Sequence, residues 1–180
     1  DHPQAKPVFD LDSVGLTAML RKMVSEKTDL NGHKLDVAPE MHIGVAVTPG
    51  LDPLEAELIK FEKKIKAGAE FAQTQVVYDV ATMEKLKEAT SHLEIPIMIG
   101  LAPLRSKGMA KFMAKNVPGV KIPPEMMERL EKSKDIRETT LDITADLLHA
   151  IKEIGFPGAH IMPVGMDDAV GEIIKRARVL

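Results

Sequence analysis

Short unbroken apolar runs alternate along this chain with longer stretches whose apolar positions return every three or four residues. The first rhythm suits strands and the second suits helices. Asp12 or Ser13 can cap a helix over about 14–27, with Leu16, Met19, Leu20, Met23 and Val24 inward. After turn chemistry at Asp29-Leu30-Asn31-Gly32, the run 42–48 suits a strand buried on both faces. Asp52-Pro53 opens a second helix with proline at its first position. Leu54, Leu58, Phe61 and Ile65 share one face of it, and Lys60, Glu62, Lys63 and Lys64 carry the outer face.

Gly68 reads as the stop of that helix, 71–77 as a strand, and Asp79 as the cap of a helix over about 80–90. A further buried strand at 95–101 runs into the loop 102–108 and a helix near 109–115, which Asn116-Val117-Pro118-Gly119 breaks. Pro123-Pro124 starts a short helix to about Lys132, and an amphipathic helix spans 136–154 with Gly155 as its stop. A last short strand covers 160–164, and Asp167 or Asp168 caps a terminal helix holding Val170, Ile173, Ile174 and Ala177.

Strands joined one to the next by helices require parallel pairing through right-handed crossovers. Two α/β architectures satisfy that: a small doubly wound parallel sheet, and the later half of an eight-stranded (β/α) TIM barrel. No GxGxxG or GxxxxGK fingerprint favours the first. In a barrel the chemistry sits at the carboxyl ends of the strands, which is where Gln75 and Tyr78 fall.

Composition narrows the function classes. A net charge of −3 over 180 residues makes no electrostatic case for nucleic acid, and the length suits a single domain over 1–180. With no cysteine, thiolate nucleophiles, disulfides and Cys-type zinc sites are excluded, and the six histidines show no HxH or HxxxH spacing. No run approaches the roughly 20 apolar residues of a membrane span, and no signal peptide is visible, so the default location is the cytoplasm. The chain opens Asp1-His2-Pro3 without an initiator Met, and the expectation is a piece of something longer.

Four segments discriminate between the architectures: Asp1-His2-Pro3 followed by Val8-Phe9-Asp10-Leu11-Asp12-Ser13; Lys63-Lys64-Ile65-Lys66-Ala67-Gly68-Ala69-Glu70-Phe71 running into Thr74-Gln75; Pro96-Ile97-Met98-Ile99-Gly100-Leu101-Ala102-Pro103; and Val117-Pro118-Gly119-Val120-Lys121-Ile122-Pro123. In this order they resemble the methylenetetrahydrofolate reductase family of flavin-dependent barrel enzymes, with the second segment the most specific. The resemblance covers essentially the whole chain. It implies that Asp1 ends the fourth barrel strand and that an N-terminal half, with the family's proton-donating glutamate, lies elsewhere.

It also implies roles. Asp1 matches the aspartate at the flavin pyrimidine edge, where a fixed negative charge disfavours the anionic reduced flavin. Ala46 and Thr48 match strand-end positions lining the flavin site, Thr48 standing for a more usual aromatic residue or Asn. Lys63 and Lys64 match a basic pair approaching the FAD diphosphate. Gln75 matches the amide that binds the folate pterin, with Tyr78 beside it. Two departures concern the electron donor and the folate tail. Arg105-Ser106-Lys107-Gly108 replaces a segment where some members carry an aromatic, and Met162-Pro163-Val164-Gly165-Met166 replaces Tyr-Thr-Leu-Asn-Arg.

Plainer readings stand beside these. Asp1 reads equally as a frayed terminal carboxylate, Gln75 as an amide closing backbone groups at a strand end, and the lysine pair as a solvated helix face. His42 and His160 suit core edges, and Met19, Met23, Met109 and Met113 suit core filling. Arg105 and Lys107 are candidates for an anion contact. The resemblance implies flavin-dependent reduction of 5,10-methylenetetrahydrofolate to 5-methyltetrahydrofolate. FAD is the expected flavin, with FMN as the alternative, and NAD(P)H the expected donor. Folate and the N-terminal half, or a partner subunit, are the expected partners in a homo- or hetero-oligomer. The alternatives are a non-catalytic pterin- or flavin-binding subunit and a barrel methyltransferase using methyl-folate without flavin.

Overall fold

The structure, a computed structural model, describes residues 10–178, so Asp1 lies outside the described residues. Four strands, β1 (Gly44–Val47), β2 (Phe71–Val76), β3 (Ile97–Leu101) and β4 (Gly158–Ile161), pair in parallel in the order β1-β2-β3-β4. The helices are α1 (Ser13–Ser25), α2 (Leu54–Lys66), α3 (Val80–Ala89), α4 (Lys107–Asn116), α5 (Pro124–Lys132), α6 (Ile136–Ile154) and α7 (Val170–Ala177).

Local chemistry sets most of the boundaries. Asp12, Asp79, Ser106 and Asp135 each accept an N–H of the helix they precede. Gly155, at φ 86°, ends α6 in a left-handed conformation. Pro53 stands one residue outside α2, as its cap rather than at its first position. Strand β4 begins and ends earlier than its apolar run predicts, because Pro163 has no N–H to give to a ladder. Neither Asp167 nor Asp168 caps α7; they sit in a 3-10 turn, and Asp168 pairs with Arg137 at 2.8 Å. Helix α1 buries Thr17 and leaves Leu16 exposed, since the neighbour it meets most is α2 alone.

Consecutive strand order means that each crossover steps the same way, and right-handed crossovers then place every connecting helix on one face. Burial follows that rule. Val47, Ala72, Thr74, Ile97, Ile99 and Leu101 are buried beneath the helices, while Gly44 and Ala46 are exposed and Phe71, Gln73, Gln75 and Met98 half-buried on the opposite face. The strands are therefore covered on one side among the described residues, not on both as the apolar run of β1 predicts. A doubly wound sheet reverses its strand order at a switch point; this sheet has no reversal.

The core between sheet and helices is built on Phe61, Met83, Leu86, Ile99, Leu101, Leu130, Leu141 and Ile173, all essentially inaccessible. At about 25 cal/mol per Å² of apolar surface removed from water, burying side chains of this size contributes ~1.5–3 kcal/mol each. No described helix is long and apolar enough to cross a membrane.

Candidate functional site

Directly paired residues of parallel strands share a face, so the open face is read off the register as rows. The lowest row pairs Gly44 with Phe71, whose ring lies where a side chain on Gly44 would be; a Cβ there would sit 2.3 Å from Cζ. Above it Ala46, Gln73, Met98 and Gly158 stand in line across all four strands. A recess of about 330 Å³ opens here, lined by Gly44, Val45, Ala46, Phe71 and Gln73. Toward the carboxyl ends Thr48 follows Val47 and Gln75 follows Thr74, and beyond the shifted register Gly100 pairs with His160, with Met162 Cε 3.1 Å from where a Cβ on Gly100 would sit. Thr48 and Gln75 thus share the rim; the third expected member, Asp1, lies outside the described residues.

Gln75 owes its setting to a β-bulge. The pairs Gln73 with Met98 and Val76 with Gly100 enclose one more residue on β2 than on β3. The Thr74 hydroxyl accepts the Gly100 N–H at 2.8 Å and donates to the Gln75 carbonyl at 2.7 Å. The Val77 N–H takes the Gly100 carbonyl at 2.9 Å, and the Val76 N–H is accepted by Gln75 Oε1 at 2.9 Å. The amide thus closes a backbone group at the strand end, as the plainer reading expects. Its nitrogen keeps two N–H donors with no protein partner among the described residues. Gly100 is required here, because a Cβ would lie 2.4 Å from the Thr74 carbonyl oxygen and 3.1 Å from that of Gln75.

Three other expected site residues take different places. Tyr78 is buried, and its hydroxyl donates to the Ala102 carbonyl at 2.8 Å, tying the end of β2 to the loop after β3. Burial pushes its ionisation far above the ordinary tyrosine range. A phenol whose proton is so committed has no donor left for a ligand at the rim. Lys64 is 5% exposed and is not on the outer face of α2. Its Nζ donates to the Ala46 carbonyl at 2.6 Å, and burial lowers its pKa against the opposing effect of Glu57. Lys63 is exposed. Ile43 presents its carbonyl to Glu70 N–H on the β2 side, so alternation turns the Ala46 carbonyl and Thr48 N–H toward the free edge of β1. Glu57 Oε1 accepts that Thr48 N–H at 2.9 Å, so α2 closes the edge with one cation and one anion.

In the loop after β3, Lys107 donates one of its three N–H groups to the Glu131 carbonyl at the end of α5, at 2.8 Å. Arg105 is exposed and has no ion pair or hydrogen bond among the described residues; its Nη1 lies 3.1 Å from where a Cβ on Gly165 would sit, in the loop after β4. Gly50 and Gly119 pack backbone to backbone at the β1 corner of the rim. No three His, Asp or Glu side chains gather as a metal site among the described residues. Sequence reading missed the open-face positions of Gln73, Met98 and His160; the signal for Gln73 lay in parity, two residues before Gln75, whereas those of Met98 and His160 follow only from the strand pairing.

Comparison with known proteins identifies the family of the chain. The family model described as methylenetetrahydrofolate reductase matches residues 8–178. Methylenetetrahydrofolate reductase 1 of Schizosaccharomyces pombe is 30% identical over 153 residues, covering 78% of this chain and 25% of that protein. Methylenetetrahydrofolate reductase 2 of Saccharomyces cerevisiae is 27% identical over 152 residues, covering 77% and 25%. The chain therefore spans about a quarter of the length of these curated relatives. A solved structure of an uncharacterised Clostridium thermocellum protein, described as binding two copies of 5-methyl-5,6,7,8-tetrahydrofolic acid, aligns over 79% of this chain and 54% of its own. That alignment has a TM-score of 0.49 at 22% identity. With nearly all of its residues matched by the family model, the chain belongs to the methylenetetrahydrofolate reductase family.

Proposed function

We propose that this chain supplies the folate-facing part of a flavin-dependent reductase that converts 5,10-methylenetetrahydrofolate to 5-methyltetrahydrofolate. The observation that carries this reading is Gln75: in the Thr74-Gln75 segment that resembles the family, its amide lies at the carboxyl end of β2 with both N–H donors unpartnered among the described residues. Those donors suit the acceptor atoms of a pterin edge.

A sheet wound in one direction, with helices on one face, is also what half of a (β/α) barrel would present, the bare face becoming the barrel interior once the remaining strands close it. Those strands would come from the same polypeptide or a partner subunit, in the cytoplasm. The flavin, FAD in this reading, supplies hydride transfer when bound. Small Ala46 at the recess, Thr48 beyond it toward the rim and exposed Lys63 would hold it; the Lys64 ammonium, committed to the Ala46 carbonyl, would not. Arg105, exposed in the loop after β3, would meet an anionic group of NAD(P)H or of the folate tail in this reading. The commitment of Lys64 favours a second reading, a pterin-binding subunit that leaves the flavin to a partner.

Two measurements on the full-length protein test both. A flavin absorbance spectrum on the purified protein separates the reductase from a colourless pterin-binding subunit or methyltransferase. Gln75→Glu keeps an acceptor for the Val76 N–H but removes the amide donors. It should weaken 5-methyltetrahydrofolate binding about tenfold or more, about 1.4 kcal/mol, at unchanged flavin content. Unchanged folate affinity would remove Gln75 from the substrate.

A further inference from the structure

We infer that Thr74 is a positioning residue, whose hydroxyl holds the bulge that orients the Gln75 amide. The inference rests on the proposed folate contact of Gln75 and adds the device that prepares it.

The hydrogen bonds show how the device works. The ladder between β2 and β3 is regular where Ala72 N–H donates to the Pro96 carbonyl. Continued in register, it would send the Gly100 N–H to the Thr74 main-chain carbonyl and the Val76 N–H to the Gly100 carbonyl. Neither describes the observed closure. The Thr74 side chain accepts the Gly100 N–H, and Val77, one residue later, donates to the Gly100 carbonyl. Val76 N–H is thereby displaced from the ladder, and Gln75 Oε1 is its partner.

The Gln75 side chain is therefore held by a backbone group that is available only because the strand is out of register. In a regular strand the Val76 N–H would be occupied, and the three side-chain torsions of Gln75 would be free. Fixing a rotamer-rich side chain before the ligand arrives removes part of the ordering cost of binding. Thr74 suits this task in both of its groups. Its hydroxyl accepts from one strand and donates to the Gln75 carbonyl on its own, and the side chain is only 4% exposed, so water does not compete for either bond. Across the ladder, Gly100 leaves room for the two displaced carbonyls.

The test uses the full-length protein, with 5-methyltetrahydrofolate as the probe in titration calorimetry. Thr74→Val, which keeps the shape and removes the hydroxyl, should weaken binding about three- to tenfold, and Thr74→Ser should restore it to within twofold. In a Gln75→Ala background, Thr74→Val should add less than twofold, because the group it positions is gone. If the two losses multiply, Thr74 acts through general stability and the inference is overturned. If Gln75→Ala alone leaves binding unchanged, the folate reading falls instead. An independent readout follows the side chain itself: 15N relaxation of the Gln75 side-chain amide should report a rigid group in the parent and in Thr74→Ser, and a mobile one in Thr74→Val. Equal rigidity in all three would overturn the inference whatever the folate affinity. Thr74→Ala replaces Thr74→Val in both measurements should the valine variant fail to fold.

Discussion

Removing one oxygen from Tyr78 separates a structural tyrosine from a ligand-binding one. In Tyr78→Phe the ring stays and no cavity forms, so the loss is confined to the bond from the hydroxyl to the Ala102 carbonyl at 2.8 Å. Both residues are buried, at 3% and 2% exposure, so the carbonyl loses its partner where water does not replace it. An unsatisfied buried acceptor costs about 1–3 kcal/mol. For a chain of this length the entropy of unfolding is about 0.4 kcal/mol/K, so a loss of ~1.5 kcal/mol lowers Tm by about 4 °C. Calorimetry should show that shift, and urea unfolding should show a lower midpoint at an unchanged slope, with folate affinity within twofold of the parent. An unchanged Tm together with a large loss of folate affinity would refute the structural assignment and return Tyr78 to the ligand. Alkaline titration gives a second check, since the 180-residue chain has one tyrosine and no tryptophan. The ionisation of Tyr78 is raised in the folded state, so its contribution to stability is whole below the unfolded value near 10 and is lost as pH rises beyond it. Absorbance at 295 nm should therefore rise together with unfolding, and a free titration near pH 10 in folded protein would contradict the burial.

Gly50→Ala should destabilise the rim, because the added Cβ would sit 1.9 Å from the Gly119 carbonyl oxygen; overpacking of this kind costs about 1–3 kcal/mol, read as a fall in the urea midpoint, and an unchanged midpoint would show the corner to be loose. The Glu70 carboxyl is held below its usual range by the Ile43 N–H, then by His42 and Arg21, so the stability it contributes is present above about pH 4.5 and is lost as pH falls through the lower folded value. Glu70→Gln should flatten the acid limb of the stability curve, and an identical limb in both proteins would exclude that carboxyl as its source. Lys64→Met uncovers the Ala46 carbonyl on the outer edge of β1, and the 180-residue chain should then associate at lower concentration, as sedimentation velocity would report; the same profile for both proteins would mean that Lys64 does not guard the edge.

How much of this was legible in the sequence depends on how local the cause is. Helix α6 is found at 136–154 as predicted, because Asp135, Gly155 and the apolar stripe between them are all local signals. Lys64 was misplaced although its position was readable. It lies three residues after Phe61 and six after Leu58, on the inner face of α2, and its charge argued against what the spacing indicated. A lysine can lie along an inner face when its stem packs and its ammonium finds a carbonyl. The bulge was hidden for a different reason. Alternation runs unbroken from Phe71 to Val76, and the irregularity exists only in the pairing with β3. Its one trace in the sequence is Gly100, an isolated glycine inside an apolar strand. Tyr78 was readable by parity, since it stands two residues after Val76 and four after Thr74, both on the buried side.

The apolar runs of β1 and β3 predict strands covered on both faces, whereas the described residues cover one. The two observations are reconciled by what stands on the uncovered side. Gly44, Ala46, Met98, Gly158 and the ring of Phe71 are small or apolar, and polar side chains enter at Gln73 in the middle row and at Gln75 and His160 toward the carboxyl ends. A solvent-facing sheet surface of the usual antiparallel kind would instead alternate to charged residues, and none of these positions is Lys, Arg, Asp or Glu. The gradient from an apolar floor to a polar rim along one face is the pattern of a ligand site at the carboxyl end of a parallel sheet. Under the proposed folate reading, the Gln75 amide, whose N–H donors have no protein partner among the described residues, is the group in that gradient that would meet the pterin.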